Sequence, residues 1–263
     1  MAEAANRELA KQARLLRSLH EPGDPLVLPN AWDAASAAAV EAAGFAVVAT
    51  GSAAVADALG YADHEAAPVD EMFAAAARIA AAVSVPVTVD LESGYGLPAT
   101  ELVDRLLAAG AVGCNLEDTS HRDGGLSDVD AQAAWLAEVR SAASAAGVDV
   151  VVDARTDVFV RQVGEPEERV DEAVRRGRAY LGAGADCVYP ILVDREETIA
   201  RLVDGMGGPV NVLAGPHAPS LARLAGIGVA RVSYGPRLHR LAQSYLADLL
   251  ARVGRGESPW PAS

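Results

Sequence analysis

Apolar and polar positions come in two alternating textures along this chain. Short apolar runs rich in Val, Leu and Ala occur at 26–30, 45–50, 87–90, 111–117, 149–154, 186–190, 209–213 and 230–234. A continuous run of that length, bounded by polar or glycine-rich turns, predicts a strand buried on both faces. The segments between them repeat apolar side chains every three to four residues, the period of an amphipathic helix. Helices are predicted at 3–19, 32–43, 69–83, 99–109, 129–146, 166–183 and 236–253, with a further helix after each of the sixth and seventh strands. Gly44 and Gly110 stand where two of these helices should end. The long connection after the second strand, through Gly60-Tyr-Ala-Asp63-His64, shows no periodic pattern before position 69.

Strands alternating with helices imply parallel pairing through right-handed crossovers, and eight such units in 263 residues favour closure into a (β/α)₈ TIM barrel. The competing architecture, a doubly wound open sheet, lacks support because no G-x-G-x-x-G follows the first strand. The expected organisation is one domain over 1–263. An N-terminal helix occupies 1–22, and a C-terminal helix and tail at 236–263 are available for a subunit contact. The last helix carries Leu238, Leu241, Tyr245, Leu246 and Leu249 as an apolar stripe, which its own barrel or a neighbour could bury.

In such a barrel the chemistry sits at the carboxyl ends of the strands. Those ends supply Asn30, Thr50-Gly51-Ser52, Asp90 with Glu92, Glu117-Asp118, Arg155 with Asp157, and Tyr189. Asp90 and Glu92 are two apart, so an extended backbone points them the same way, and Gly94 and Gly96 let the next loop fold over them. Hard oxygen donors of this kind suit Mg²⁺, with Mn²⁺ as the alternative. A carboxylate cluster beside an arginine on one rim therefore reads as a metal site with an anion clamp.

Composition narrows the partners. A formal charge of −14 disfavours nucleic acid and anionic membrane surfaces. Cys114 and Cys187 make neither a disulfide framework nor a zinc cluster, which suits a reducing cytoplasm. No run reaches the roughly 18 apolar residues of a membrane span, and the first 20 residues lack a signal-peptide core.

Together, the segments Leu28-Pro-Asn-Ala-Trp-Asp33, Thr50-Gly-Ser52, Leu59-Gly-Tyr-Ala-Asp63, Asp90-Leu-Glu-Ser-Gly-Tyr-Gly96, Asn115-Leu-Glu-Asp118 and Ala154-Arg-Thr-Asp157 resemble the isocitrate lyase and phosphoenolpyruvate mutase superfamily. The resemblance spans nearly the whole chain, and the order and strand-end placement of the motifs make it specific. It implies a barrel whose last helix is swapped onto a neighbouring subunit, in dimers or tetramers, with Mg²⁺ and a small 2-oxo or 2-hydroxy acid as substrate. It further implies Asp90 as the direct metal ligand, with Glu92, Glu117 and Asp63 holding the metal's waters. Thr50, Gly51 and Ser52 would bind the substrate carboxylate or oxyanion through backbone N–H groups at a helix start. Arg155 would clamp the substrate with its planar fork, and Tyr95 is a further candidate for a substrate hydrogen bond.

Two departures from the family pattern shape the functional expectation. The second acid of the third-strand motif is usually Asp and is Glu92 here. The lyase branch carries a Lys-x-Cys-Gly-His motif after the fourth strand, where this chain has Thr119-Ser-His-Arg-Asp-Gly-Gly125. Cys114 lies three positions before Glu117 and so should face the helices, as a structural thiol. His121 is the loop group able to move a proton near neutral pH, flanked by Ser120 and Arg122, with Gly124-Gly125 as hinge; His64 and His217 rank below it. The expected activity is carbon–carbon cleavage through an enolate. The mutase or hydrolase alternative acts on a P–C bond, although the Lys and Asn that branch carries in this loop are not found. The remaining alternative is a barrel that binds without catalysing.

Overall fold

The computed structural model describes residues 2–121 and 124–260, with the side chains of 2–5 left aside. After helix α1 (Ala2–Ser18), the first strand is broken in two, β1 (Leu26–Leu28) and β2 (Asn30–Ala31), followed by α2 (Ala34–Ala42) and β3 (Val48–Thr50). Helices α3 (Ser52–Leu59) and α4 (Val69–Ala81) precede β4 (Val87–Asp90), α5 (Ala99–Ala108) and β5 (Gly113–Glu117). The chain continues through α6 (Val129–Ala145), β6 (Val151–Thr156), α7 (Arg169–Gly182), β7 (Cys187–Pro190) and α8 (Glu196–Met206). It ends with β8 (Asn211–Leu213), α9 (Leu221–Ile227), β9 (Arg231–Ser233) and α10 (Arg237–Gly254).

All strand pairs are parallel, and the ring closes at two seams. Strands β2 to β7 pair in sequence order, while β1 pairs with β9 and β9 with β8. The first strand changes neighbours at Pro29, which has no N–H for a continuous ladder: Leu28 pairs with Ser233 and Asn30 with Ala49. The other seam, between β7 and β8, is held by the single bridge Val188–Val210. The result is the (β/α)₈ barrel that the alternating pattern predicts, with eight strand positions.

Helix α3 is the one element the pattern did not define. Its eight residues, Ser-Ala-Ala-Val-Ala-Asp-Ala-Leu, are mostly apolar all round, and Ser52, Ala54, Val55 and Ala56 are buried, so no amphipathic period stands out. Its start at Gly51 is what turns the end of β3 into part of the site.

Helix α1 closes the amino-terminal end of the barrel. Leu16 is fully buried and its Cδ2 would meet a Cβ on Gly113 at 2.7 Å, so only glycine fits at the foot of β5. Arg17 Nε donates to Asp186 Oδ1 at 2.6 Å and Nη2 to the Asp149 carbonyl at 3.0 Å, which fastens α1 to the feet of β6 and β7. Cys114 is fully buried in the core among aliphatic side chains, and burial pushes its thiol up to about 12. Cys187 is likewise buried, so neither thiol reaches the rim.

Only the first turn of helix α10 packs on its own barrel, where His239 meets the Trp32 ring and Arg237 donates to the Ala214 carbonyl. His239 is its one buried residue, whereas Leu241 and Tyr245 are each 66% exposed and Leu250 61%. The apolar stripe is therefore left for another surface. Trp260 in the tail is also exposed, and 261–263 lie outside the described residues. No described helix is long and apolar enough to cross a membrane.

Candidate active site

Asp90 ends β4 at the carboxyl rim, and both its oxygens are held. Oδ2 accepts from the Ser52 N–H at 3.0 Å and the Ser52 hydroxyl at 2.8 Å. Oδ1 accepts from Asn115 Nδ2 at 3.1 Å and the Glu92 N–H at 3.3 Å. The Asp90 N–H in turn donates to Thr50 Oγ1 at 2.9 Å. Thr50 and Ser52 thus orient the carboxylate, and the start of α3 places a positive dipole end beside it. Asn115 reaches Asp90 because β4 and β5 pair in a register that sets the two opposite each other. It lies two residues before Glu117, and that period-two spacing is the sequence signal for its role.

A cavity of about 280 Å³ opens here, lined by Thr50, Gly51, Ser52, Asp63, Asp90 and Asn115 on one side and by Arg155 and Tyr189 on the other. Its floor and far wall add Asn211, Arg231, Ser233, Arg237 and Arg240, which sequence reasoning missed. Arg231 and Asn211 sit on strand positions among aliphatic neighbours, and only the closed ring turns them to a shared interior. There Arg231 Nη2 lies 3.4 Å from Asp153 Oδ2, and Asn211 Nδ2 donates to the same oxygen at 3.1 Å.

Glu92 and Glu117 stand behind Asp90, buried, between this cavity and a second one at the side. Glu92 takes a left-handed backbone conformation, φ 50°, and its carboxylate accepts from the Glu65 N–H at 2.6 Å and the Tyr95 hydroxyl at 2.7 Å. Burial, helped by the charges of Asp90 and Asp63, pushes Glu92 up to about 7. Burial also raises Glu117, opposed by Arg155 and His121. Arg155 Nη1 lies 2.7 Å from Glu117 Oε2, and its Nε and Nη2 grip Asp157 at 2.6 and 3.0 Å. These contacts engage three of the five guanidinium N–H donors and leave two for a ligand.

The loop candidates lie elsewhere. His121 and Ser120 line the side cavity together with Glu65, Ser93, Gln132 and Trp135. His121 Nε2 is 2.9 Å from Glu117 Oε1, so the imidazole touches the back of the acid cluster and not the central cavity, and that contact raises its pKa. Tyr95 is spent on Glu92, not aimed at the central cavity. The Ser120 N–H donates to the Gly125 carbonyl at 2.9 Å and Thr119 bridges Leu126, so the base of the loop is a closed turn. Arg122 lies outside the described residues, and His217 is exposed.

A hard divalent cation fits this donor set. Asp63, Asp90, Glu92, Glu117 and Asp157 converge around Arg155, and Glu92, pushed up to about 7 by burial and then by the charges of Asp90 and Asp63, sits where a cation would favour its ionised form. Asp90, with each oxygen steadied by hydrogen bonds, has the form of a metal-binding carboxylate.

Known proteins share this fold and part of this sequence. A solved structure of a candidate phosphonomutase from Burkholderia cenocepacia is 42% identical, covers 94% of this chain and 99% of its own, and superposes with a TM-score of 0.86. The solved 2,3-dimethylmalate lyase, a PEP mutase/isocitrate lyase superfamily member, is 25% identical with a TM-score of 0.84, covering 96% of this chain and 89% of its own. An uncharacterized protein of Mycobacterium tuberculosis is 34% identical over 218 residues, 82% of this chain and 80% of its own length. The phosphoenolpyruvate phosphomutase family matches residues 16–253. With that match running from the end of α1 into α10, this chain belongs to the phosphoenolpyruvate phosphomutase family, within the PEP mutase/isocitrate lyase superfamily.

Proposed function

We propose that this protein is a Mg²⁺-dependent carbon–carbon lyase for a small 2-oxo or 2-hydroxy carboxylic acid, working through an enolate. One observation carries the reading: a single cavity is lined at once by Asp90 and Asp63, by Arg155 with two unused donors, and by the start of α3. Asp90 would hold the ion directly, with Asp63, Glu92 and Glu117 around its waters, and Mn²⁺ could replace it. When bound, the ion supplies Lewis-acid charge beside the two adjacent oxygens of such a substrate.

The protein's own groups account for the rest. Arg155, fixed by Glu117 and Asp157, presents its remaining N–H donors to a carboxylate in a set orientation. Tyr189, whose phenol burial keeps protonated, can hydrogen-bond an oxygen that gains charge as the bond breaks. His121 and Ser120 face the side cavity, so a proton from the imidazole would travel through the Glu117 carboxyl. With both cysteines buried away from the rim, the departing enolate would take its proton from one of these oxygen or nitrogen acids.

The P–C reading is supported by the family's own description and by the phosphonomutase-like neighbour, since the Arg155 fork also matches a phosphonate. A thermal-shift and turnover screen separates them. Oxalate, oxaloacetate, branched malates and phosphonopyruvate are each tested with and without Mg²⁺, on the native protein and on Asp90→Ala. A Mg²⁺-dependent shift with oxalate, absent in Asp90→Ala, and cleavage of a malate support the lyase. Phosphonopyruvate turnover alone supports P–C chemistry, and no metal-dependent shift with any ligand leaves a binding barrel. The exposed Leu241, Tyr245 and Leu250 face supports pairing with a second copy, which light scattering tests. The paired dimer or tetramer and a cytoplasmic location belong to the same proposal.

A further inference from the structure

We infer that His64, His121 and Glu92 form a second metal site, separate from Asp90, for a divalent transition ion of the zinc class. One ligand atom from each of the three lies within 4.8 Å of the others. His121 Nε2 is 3.9 Å from Glu92 Oε2, and the two imidazole rings stand with centroids 5.6 Å apart and planes tilted by 39°. Donors around a tetrahedral ion with bonds of about 2.0–2.1 Å are roughly 3.3 Å apart, so side-chain movements of about an ångström bring the three into place and leave the fourth position to water.

Two further observations point the same way. His121 Nε2 is shielded from solvent and faces two carboxylates, Glu117 Oε1 at 2.9 Å and Glu92 Oε2 at 3.9 Å, the setting of a ligand nitrogen held among acids. The backbone under the cluster is bent to present it: His64, Glu65 and Glu92 all adopt the left-handed region, with φ of 69°, 56° and 50°. None is glycine, so each conformation is held against its own preference.

Donor chemistry distinguishes this site from the one at Asp90. Imidazole nitrogen binds Zn²⁺, Co²⁺ and Ni²⁺ well and Mg²⁺ poorly, whereas carboxylate and water suit Mg²⁺. The central cavity offers Asp63 and Asp90, whereas His121, on the side cavity, and His64 supply imidazole nitrogen beside Glu92. An ion here ties the loop after β5, through His121, to the connection after α3, through His64. It thereby closes the side cavity and draws on a carboxylate that the Asp90 site also needs.

The test uses the full chain without a histidine tag, stripped with a chelator and then held in excess Mg²⁺ so that the hard-ligand site is occupied. Co²⁺ is titrated in, and its visible d–d absorption and calorimetric affinity are read. The expected result is one equivalent bound, with the intense band of low coordination. That binding persists in Asp90→Ala and weakens by about tenfold or more in both His64→Gln and His121→Gln. Circular dichroism confirms that each variant is folded, and either histidine variant alone decides the matter if the other is not. Co²⁺ affinity unchanged in the folded histidine variants, or binding lost in Asp90→Ala alone, overturns the second site. Neither result touches the lyase reading, which stands or falls on Mg²⁺-dependent oxalate binding.

Discussion

Replacing Glu92 by Gln should make the metal-free protein more stable at alkaline pH and leave it nearly unchanged in acid. Glu92 ionises near its usual 4.5 in the unfolded chain and at about 7 when folded, because burial disfavours its charge. The folded state therefore holds the proton more tightly, and stability falls as pH rises from about 4.5 through about 7. Integrated to pH 8, that difference costs ~3 kcal/mol, and at pH 5 ~1 kcal/mol. Gln removes the ionisation while keeping the contacts, since its oxygen can accept from the Glu65 N–H and its amide can donate to the Tyr95 oxygen. The stability gap between Glu92→Gln and the native chain should thus grow by ~2 kcal/mol between pH 5 and pH 8. Urea denaturation in the presence of a chelator measures it at both pH values. A variant equally or less stable at pH 8, or a gap that does not change with pH, refutes the account of Glu92 as a carboxyl held against its charge.

Other perturbations test the frame around the site. Asp118 is fully buried and accepts from Thr156 Oγ1, the Asp157 N–H, Tyr180 Oη and Arg176 Nη1, so Asp118→Ala removes the acceptor of all four, while Arg176 keeps Glu172 and the Ser127 carbonyl, and should cost about 3 kcal/mol in urea denaturation. His20 is pushed down to about 4 by burial and by Arg231, so it stays neutral in the fold. Stability should fall as pH drops from about 6.5 toward 4, by up to ~3 kcal/mol, and that slope should flatten in His20→Gln. Gly94 has φ +92° and a Cβ there would sit 2.6 Å from the Trp135 ring, whereas Gly44, at φ +87°, has open space. Gly94→Ala should therefore destabilise by more than Gly44→Ala, which carries only the backbone penalty of about 1 kcal/mol, and melting temperatures of the pair compare them.

Much of the architecture follows from local pattern alone. Eight short apolar runs separated by helical periods leave few ways to cover a parallel sheet other than closing it. The acids and Arg155 were legible as a rim cluster for the same reason, because strand ends are where a barrel tolerates charge. Helix α3 was not, since a helix buried on most sides has no amphipathic period to betray it.

The sequence by itself determined which residues reach the rim: Asp90, Glu117 and Arg155 follow from strand register and alternation, which are local properties of an extended backbone. Only the tertiary structure decided who partners whom. Strand closure turned Asn211 and Arg231 inward, the register of β4 on β5 placed Asn115 against Asp90, and the loop after β5 carried His121 to the back of Glu117 instead of into the cavity. Such contacts join residues far apart in the chain, and no local preference encodes them. They are set by packing and by the need of each buried charge for a counter-charge or a hydrogen bond.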